Sequence, residues 1–259
     1  MSSTHTPATR TSLVLNSSNN LTGKVVVVVG AKNKVGIAIC RTVHAAGARV
    51  VMADSRLESL KKICETLNNG NGEDSPASRI HAPPKTASVV MVDVTDSTSM
   101  KRLAGKAQEA FGTIDIVVNV CGYQQRSLIS ACQEKDWSHT MDINCKGLLH
   151  VFGAFLPGMV ANNAGQIISV SSEAARAFFP RLTVYGASKQ FVETLSKGAN
   201  SELSEHGVRV TTVQAGDCTE ELNGVEEKRD NTGEEYTKLN PADVANAVLF
   251  AAAAKEEKR

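Results

Sequence analysis

The stretch VVVVVGAKNKVGIAI, residues 25–39, runs from five consecutive valines into a turn that contains Gly30 and Gly36. An unbroken run of β-branched residues is typical of a parallel strand that is covered on both faces. Residues 35–47 then show a helical pattern. The stretch therefore predicts a buried strand, a glycine-containing turn and a helix. In doubly wound sheets, the N–H groups at the start of such a helix point toward a bound phosphate.

The rest of the chain repeats this alternation of β-branched runs and longer helical patterns. Six strands are predicted, at residues 24–29, 49–53, 88–92, 115–120, 166–170 and 208–213. The helices predicted between them cover residues 35–47, 56–67, 97–111, 134–156 and 185–205, and a final helix opens at Pro241. This order predicts a single α/β domain built on a doubly wound parallel sheet with right-handed crossovers.

Three segments lie outside the alternation. Residues 1–22 are rich in Ser, Thr and Asn and are interpreted as a disordered tail, with targeting to an organelle as the weaker alternative. Residues 68–87 are interpreted as a surface loop insertion, and residues 217–240 as a polar, charged region that follows the sixth strand. The domain itself is assigned to residues 23–259.

The composition argues against several classes of protein. The formal net charge is +1, and the cations form no basic stripe for a nucleic acid. Six cysteines without a CxxC pair favour free thiols in a reducing compartment such as the cytoplasm. Six histidines without an HxH or HExxH spacing leave a metal site unsupported. No apolar run reaches the roughly 20 residues that a helix needs to span a bilayer.

Asp54 closes the second predicted strand, 24 residues after Gly30. A carboxylate at this point of a doubly wound sheet can accept hydrogen bonds from both hydroxyls of a ribose. The alternative is an N-cap for the helix at residues 56–67, and one residue can serve both purposes.

Gly30, Gly36 and Asp54 together resemble the cofactor site of the short-chain dehydrogenase/reductase family. That family's first motif is Thr-Gly-x3-Gly-x-Gly, and here Val29 replaces the threonine and Lys34 the middle glycine. A side chain at Lys34 is strained if the turn needs a positive φ there. The resemblance covers residues 23 to about 254 and implies a Rossmann-like fold, without the strand that many relatives add after the last helix.

The resemblance also implies cofactor contacts along the carboxyl edge of the sheet. In the first turn they are Gly30, Lys34, Val35 and Gly36, with Asp54 at the ribose. The later positions are Asp93 and Val94 at the adenine, Asn119 and Gly122 after the fourth strand, and Gly216 and Thr219 after the sixth. Asp54 favours NAD, because its carboxylate repels the extra phosphate of NADP. The cations Lys32, Lys34 and Arg56 keep NADP open as an alternative.

Tyr185 and Lys189 are four residues apart, so they share one face of the predicted helix at residues 185–205. A free phenol titrates near pH ~10, and an ammonium group beside it favours the phenolate. The pair is therefore expected to exchange a proton near neutral pH, with Lys189 lowering the pKa of Tyr185. The alternative is a chance spacing on an amphipathic helix.

Ser172 follows the fifth predicted strand and precedes Tyr185 by 13 residues, which is the family's spacing. The resemblance implies that Ser172 holds the substrate oxygen, that Tyr185 exchanges the proton and that Lys189 holds the nicotinamide ribose. It also implies that Asn144 holds a water that links Lys189 to solvent. The alternative for Asn144 is a polar residue that bends a long helix.

These residues predict an NAD(P)-dependent oxidoreductase that interconverts a carbonyl group and a secondary alcohol. Its small-molecule substrate is expected to contact Ser172, Tyr185 and Phe178, with residues 217–240 closing over it. The alternative is a catalytically impaired dinucleotide-binding or scaffold protein. The complete set of Asn144, Ser172, Tyr185 and Lys189 favours the enzyme. The resemblance further implies a homodimer or homotetramer formed through the helices at residues 134–156 and 185–205.

Overall fold

A computed structural model describes residues 20–69, 85–218, 227–229 and 235–254. The main strands are β1 (Val25–Val29), β2 (Arg49–Asp54), β3 (Ala87–Met91), β4 (Ile116–Asn119), β5 (Gly165–Ser172) and β6 (Val208–Ala215). The helices are α1 (Lys34–Ala45), α2 (Glu58–Asn69), α3 (Ser97–Phe111), α4 (Glu134–Met141), α5 (Gly147–Ala161), α6 (Thr183–Leu203) and α7 (Pro241–Ala253). Helices and strands alternate as the sequence predicts.

The six main strands form one parallel sheet in the order β3-β2-β1-β4-β5-β6. This order confirms the predicted doubly wound, Rossmann-like fold. Because β1 lies between β2 and β4, the winding of the chain reverses there. Ligands of open α/β sheets bind at such a reversal, outside the carboxyl ends of the strands.

Both faces of the sheet are covered by helices, which explains the unbroken valine run in β1. Val26 and Val28 are fully buried in a layer formed with α1, α2 and α7. Val25, Val27 and Val29 are equally buried on the other face, in a layer formed with α3, α5 and α6. A strand with two covered faces needs apolar residues at every position, and β-branched valine suits the pleated backbone.

The beginning of the domain lies closer to the N-terminus than expected. Leu21 falls in the predicted tail, yet it is only 2% exposed and belongs to the core that α1 and α7 form. Its N–H group donates to the carbonyl of Ala46 at 2.8 Å. The boundary at residue 22 is therefore wrong, because burying Leu21 orders the segment that leads into β1. Residues 1–19 lie outside the described residues.

The predicted insertion at residues 68–87 is shorter than expected at both ends. Asn68 and Asn69 complete α2, and Ala87 opens β3. The amide oxygen of Asn68 accepts from the N–H groups of Thr86 and Ala87, each at 2.9 Å, and its NH2 group donates to the carbonyl of Ala87 at 3.0 Å. One side chain thus joins the two ends of the insertion. Residues 70–84 lie outside the described residues.

Two short strands lie within the polar region at residues 217–240. β7 (Glu227–Arg229) pairs with β8 (Glu235–Thr237) in an antiparallel hairpin, which the sequence pattern did not predict. Beside it, the N–H group of Leu239 donates to the carbonyl of Asp217 at 2.8 Å. This bond holds the approach to α7 against the end of β6.

The single helix predicted at residues 134–156 is α4 and α5 joined by five π-helical residues, Asp142–Lys146. Among the described residues, this continuous stretch, Glu134–Ala161, is the one long and apolar enough to cross a membrane, with a mean hydropathy of 1.3 over its most apolar 18 residues. Its large apolar side chains nevertheless pack against the sheet, among them Val151, Phe155 and Met159. These contacts are those of a core helix.

Candidate active site

Two cavities open side by side at the carboxyl edge of the sheet. The first cavity has a volume of about 580 Å³ and is lined by Gly30, Lys32, Asn33, Asp54, Ser55, Arg56, Val92, Asp93, Val94, Thr95, Cys121, Gly122, Tyr123, His139, Asp142 and Ile143. The second cavity has a volume of about 530 Å³ and is lined by Lys32, Asn33, Lys34, Val35, Val120, Gly122, Gln124, Val170, Ser171, Tyr185, Lys189, Asp217 and Cys218. Lys32, Asn33 and Gly122 belong to both linings, so the cavities meet at the first turn.

Most of the predicted site residues line one of these cavities. In the first they are Gly30, Asp54, Asp93, Val94 and Gly122; in the second they are Lys34, Val35, Gly122, Tyr185 and Lys189. Those that line neither cavity are Gly36, Asn119, Asn144, Ser172, Gly216 and Phe178. Phe178 is fully exposed to solvent, so its contact with a substrate stays a prediction. Thr219 lies outside the described residues.

The first turn requires glycine at both predicted positions. Gly30 has a φ of +90°, and a Cβ on it would lie 2.7 Å from the backbone nitrogen of Cys121. A Cβ on Gly36 would lie 2.6 Å from the carbonyl oxygen of Gly30. Burial raises the pKa of the Cys121 thiol to about 12, so at neutral pH this residue acts as a packing group beside Gly30.

Lys34 does not strain the turn. It is the first residue of α1, and it is not among the non-glycine residues with positive φ in the described part of the chain. The middle position of the motif therefore accepts a Cβ, and Lys34 is one of the residues that line the second cavity.

Asn33 organises the turn, although sequence reasoning missed it. Its side-chain oxygen accepts from the N–H group of Gly36 at 2.7 Å, and its NH2 group donates to the carbonyl of Val120 at 3.0 Å. Asn33 thus caps α1 and ties the turn to the end of β4. An asparagine directly before a helical pattern is a recognisable N-cap, and this signal was available in the sequence.

Asp54 lies at the end of β2 and faces the first turn. Its Oδ2 accepts from the backbone N–H of Lys32 at 3.0 Å, and its Oδ1 accepts from the N–H of Ser55 at 2.8 Å. The alternative interpretation as a helix N-cap is wrong, because α2 begins only at Glu58. Lys32 and Arg56 line the same cavity, so carboxylate and cations meet at one end of the site.

Asp93 begins the turn after β3 and also lines the first cavity. Its Oδ1 accepts from the backbone N–H of Thr95 at 2.9 Å and from the hydroxyl of Thr95 at 2.7 Å. These two hydrogen bonds lower the pKa of Asp93. The carboxylate is therefore ionised at neutral pH and shapes a polar turn at the cavity wall.

Asn144 lies in the π-helical turn, Asp142–Lys146, and is buried. Its side-chain oxygen accepts from the N–H of Tyr123 at 2.8 Å, and its NH2 group donates to the carbonyl of Tyr123 at 3.0 Å and to the hydroxyl of Ser188 at 2.8 Å. One side chain thus joins the helix, the loop after β4 and α6. Asn144 therefore lies where a π-turn joins α4 to α5, and such turns are rare and often lie at functional sites. Its interpretation as a polar residue that bends a long helix stays a prediction.

Ser172, Tyr185 and Lys189 come together where β5 ends and α6 begins. The hydroxyl of Ser172 lies close enough to the phenol of Tyr185 to act on its pKa as a hydrogen-bond partner. Lys189 is buried, its ammonium donates to the carbonyl of Val170 at 3.0 Å, and it lies 5.8 Å from the ring centre of Tyr185. Burial lowers the pKa of Lys189 to about 8. A Cβ on Gly122 would lie 3.3 Å from this ammonium, so the loop after β4 passes close to it.

The pKa of Tyr185 moves in the direction opposite to the one expected. Burial raises it, the hydrogen bond with Ser172 opposes the rise, and nearby Cys218 and Glu173 reinforce it. Lys189 is not among the groups that shift this pKa, and its ammonium donates instead to the carbonyl of Val170. In the protein alone, the phenol is therefore protonated at neutral pH.

Comparison with known proteins places the chain in a family. The family model for short chain dehydrogenases matches residues 24–231. The chain is also 33% identical over 231 residues to an uncharacterised oxidoreductase of Staphylococcus aureus, covering 89% of this chain and 91% of that protein. The chain therefore belongs to the short-chain dehydrogenase family of oxidoreductases, as the sequence motifs predicted.

Two further relatives carry more informative descriptions. The chain is 33% identical over 238 residues to a glycine betaine reductase of Emericella nidulans, but it spans only 18% of that protein's length. A metagenomic short-chain oxidoreductase, solved in complex with NADP, superimposes with a TM-score of 0.71 at 25% identity and covers 92% of this chain and 93% of its own.

Proposed function

We propose that the protein is an NAD(P)-dependent oxidoreductase that interconverts a carbonyl group and a secondary alcohol. The observation that supports this most strongly is the group of Ser172, Tyr185 and Lys189, which adjoins a glycine turn at the switch point of the sheet. The alternative, a dinucleotide-binding or scaffold protein without activity, has no need for this group.

The residues around the first turn fit a nicotinamide dinucleotide. Gly30 and Gly122 have no side chain to fill the space beside Cys121 and Lys189. A ligand can therefore approach the backbone closely at these two positions. Asp54 supports NAD, since its carboxylate suits the two hydroxyls of the adenosine ribose. Lys32 and Arg56 in the same cavity keep NADP open. When bound, the nicotinamide supplies or accepts the hydride.

The protein's own part is to orient the substrate and to move one proton. Ser172 donates a hydrogen bond to the carbonyl oxygen, and Tyr185 gives that oxygen its proton. The raised pKa of Tyr185 keeps the phenol protonated at neutral pH, which suits the reducing direction. Lys189, with a pKa of about 8, is mainly charged at pH 7, and its ammonium is proposed to hold the nicotinamide ribose.

A first experiment is a fluorescence titration of the purified protein with NADH and, separately, with NADPH, followed by a screen of carbonyl compounds with the nucleotide that binds. Tyr185→Phe should abolish turnover, at least about a thousandfold, while leaving the dissociation constant of the nucleotide within about twofold. Retained turnover in Tyr185→Phe contradicts the mechanism. Failure of both nucleotides to bind wild type favours the scaffold protein.

The substrate is proposed to carry a positive charge beside its carbonyl group. Glu173 follows Ser172, and its carboxylate oxygen would lie 3.4 Å from a Cβ on Gly216, next to Tyr185. Glycine betaine bears a quaternary ammonium group, so the similarity to a glycine betaine reductase agrees with a cationic group in the substrate.

A matched pair of ketones tests this assignment. Trimethylammonioacetone and 4,4-dimethylpentan-2-one have the same shape, differ by one charge and are both reduced to secondary alcohols. We expect kcat/KM to favour the cation by roughly tenfold and Glu173→Gln to remove most of that preference. Equal kcat/KM values for the two ketones in wild type would exclude a charge-selective site.

A further inference from the structure

Glu193 is a buried carboxylate that the proposed chemistry does not use. It lies on α6, one turn after Lys189 and two turns after Tyr185, and only 1% of it is exposed. Residues at this spacing share one helix face. An isolated carboxylate is expensive to bury, so its partners indicate what it does.

The two oxygens of Glu193 bind two residues of one short segment. Oε2 accepts from Nε of Arg176 at 3.0 Å, and Oε1 accepts from the hydroxyl of Ser171 at 3.2 Å. Ser171 directly precedes Ser172, and Arg176 lies four residues after Ser172. The carboxylate therefore holds both ends of the segment 171–176, which contains Ser172.

Other contacts place the same segment against the start of α6. A Cβ on Gly186 would lie 2.5 Å from the carbonyl oxygen of Ala174, so helix and segment touch through backbone. The hydroxyl of Ser171 also lies 3.4 Å from the carbonyl oxygen of Lys189. The hydroxyl of Ser172 accepts from the N–H of Ala174 at 3.2 Å, which links its orientation to the path of the segment.

We propose that Glu193 is a positioning residue, which fixes the hydroxyl of Ser172 relative to Tyr185 by holding Ser171 and Arg176 against α6. The inference rests on the proposed function, because it concerns the geometry of the same reaction. Arg176 is 57% exposed, so the ion pair stabilises the fold less than a fully buried pair would. Its main consequence is geometric, since small displacements of reacting groups are costly in rate.

The test compares Glu193→Gln, Arg176→Met and Arg176→Lys in the full chain, with the ketone that gives the highest turnover. We expect kcat to fall about tenfold in Glu193→Gln and Arg176→Met, with the dissociation constant of the nucleotide within about twofold. Arg176→Lys should recover part of the loss, because it restores the charge without the guanidinium geometry. Lys24→Met is the matched control: it removes an ion pair with Asp115, remote from the cavities, and should leave kcat unchanged.

A double-mutant cycle separates positioning from simple destabilisation. If Glu193 acts through Ser172, Glu193→Gln should lower kcat less than about twofold in a Ser172→Ala background. An equal loss in both backgrounds, or unchanged kcat in both Glu193→Gln and Arg176→Met, overturns the proposal. Arg176→Met decides the question if Glu193→Gln does not fold. In the same assay, turnover by Tyr185→Phe would instead show that the proposed function has failed.

Discussion

At the residue scale, Gly30 and Lys34 differ in whether the first turn tolerates a side chain at their position. Gly30 has a φ of +90°, and a Cβ added to it would lie 2.7 Å from the backbone nitrogen of Cys121. Lys34 is already in the helix, where a side chain has room. The turn therefore depends on two glycines rather than three, and a lysine is compatible with it.

Gly30→Ala is expected to weaken both the fold and nucleotide binding. The strained φ and the contact with Cys121 should lower the free energy of unfolding by about 1–3 kcal/mol. Nucleotide affinity should fall at least about tenfold as the turn shifts. Urea denaturation and NADH titration measure the two effects. Gly105→Ala is the control, because a Cβ there meets nothing within 4 Å and its helix position favours alanine. Equal behaviour of the two variants would contradict the account of the turn.

Lys189 makes stability depend on pH in an identifiable window. Burial lowers its pKa from 10.5 to about 8, so between these values the unfolded chain holds a proton that the folded protein has lost. Within that window this lysine makes the free energy of unfolding increase with pH, by at most about 1.4 kcal/mol per pH unit. Below pH 8 both states hold the proton, and the contribution is constant.

Subtracting the unfolding free energy of Lys189→Met from that of wild type isolates the contribution of Lys189. The thiols and Tyr185 are present in both proteins, so their titration cancels in the difference. The difference in unfolding free energy, wild type minus variant, should be flat below about pH 7.5 and should rise from pH 8 to pH 10. Urea denaturation at a series of pH values measures it. A difference that stays flat across the whole range would show that Lys189 is not desolvated.

At the element scale, the start of α1 and the π-turn before α5 determine the shape of the site. Asn33 couples the cap of α1 to Val120 at the end of β4, and Asn144 couples the π-turn to Tyr123 in the loop that follows. Both asparagines thus hold the loop after β4, one near its start at Val120 and one at Tyr123. Gly122 in this loop lines both cavities.

Removing two different helix caps distinguishes an effect on fold stability from an effect on nucleotide binding. Asn33→Ala and Asp96→Ala each remove an N-cap, of α1 and α3 respectively, and each should lower the free energy of unfolding by about 1 kcal/mol. Only Asn33→Ala should also weaken NADH binding, several-fold, since Asp96 lines neither cavity. Thermal denaturation and NADH titration measure these effects. Loss of affinity in both variants would mean that stability alone controls binding.

At the scale of the whole molecule, the order of the strands brings together residues that are far apart in sequence. The carboxyl ends of β1, β2, β4 and β5 supply Gly30, Asp54, Gly122 and Ser172 to one edge. The helices α5 and α6 cover one face of this sheet, and they are proposed to form the interface of a homodimer or homotetramer. Leu149 on α5 is 45% exposed and is available for such a contact.

Light scattering after size-exclusion chromatography tests the assembly. Wild type is expected to elute as a dimer or tetramer, and Leu149→Glu should shift it toward monomer. Met91→Glu changes a still more exposed apolar residue, 67% exposed, on the edge strand β3 and should leave the mass unchanged. A monomeric wild type would contradict the proposed interface.

The sequence by itself determined the alternation of strands and helices, the two glycines of the first turn and the position of the Tyr185 and Lys189 pair. These features depend on local periodicity and on spacing within one element, which a sequence displays directly. The single helix expected at residues 134–156 shows the limit of this reasoning, because the π-turn at Asn144 coincides with hydrogen bonds to Tyr123 and Ser188.

Only the tertiary structure decided that Lys34 is unstrained, that the pKa of Tyr185 is raised and that Glu193 meets Ser171 and Arg176. The backbone angle of Lys34 depends on where α1 begins, which Asn33 settles through a bond to β4. The direction of the Tyr185 shift depends on burial, which distant segments of the chain create. Interactions of this kind join residues through packing, and no periodicity within a single element encodes them.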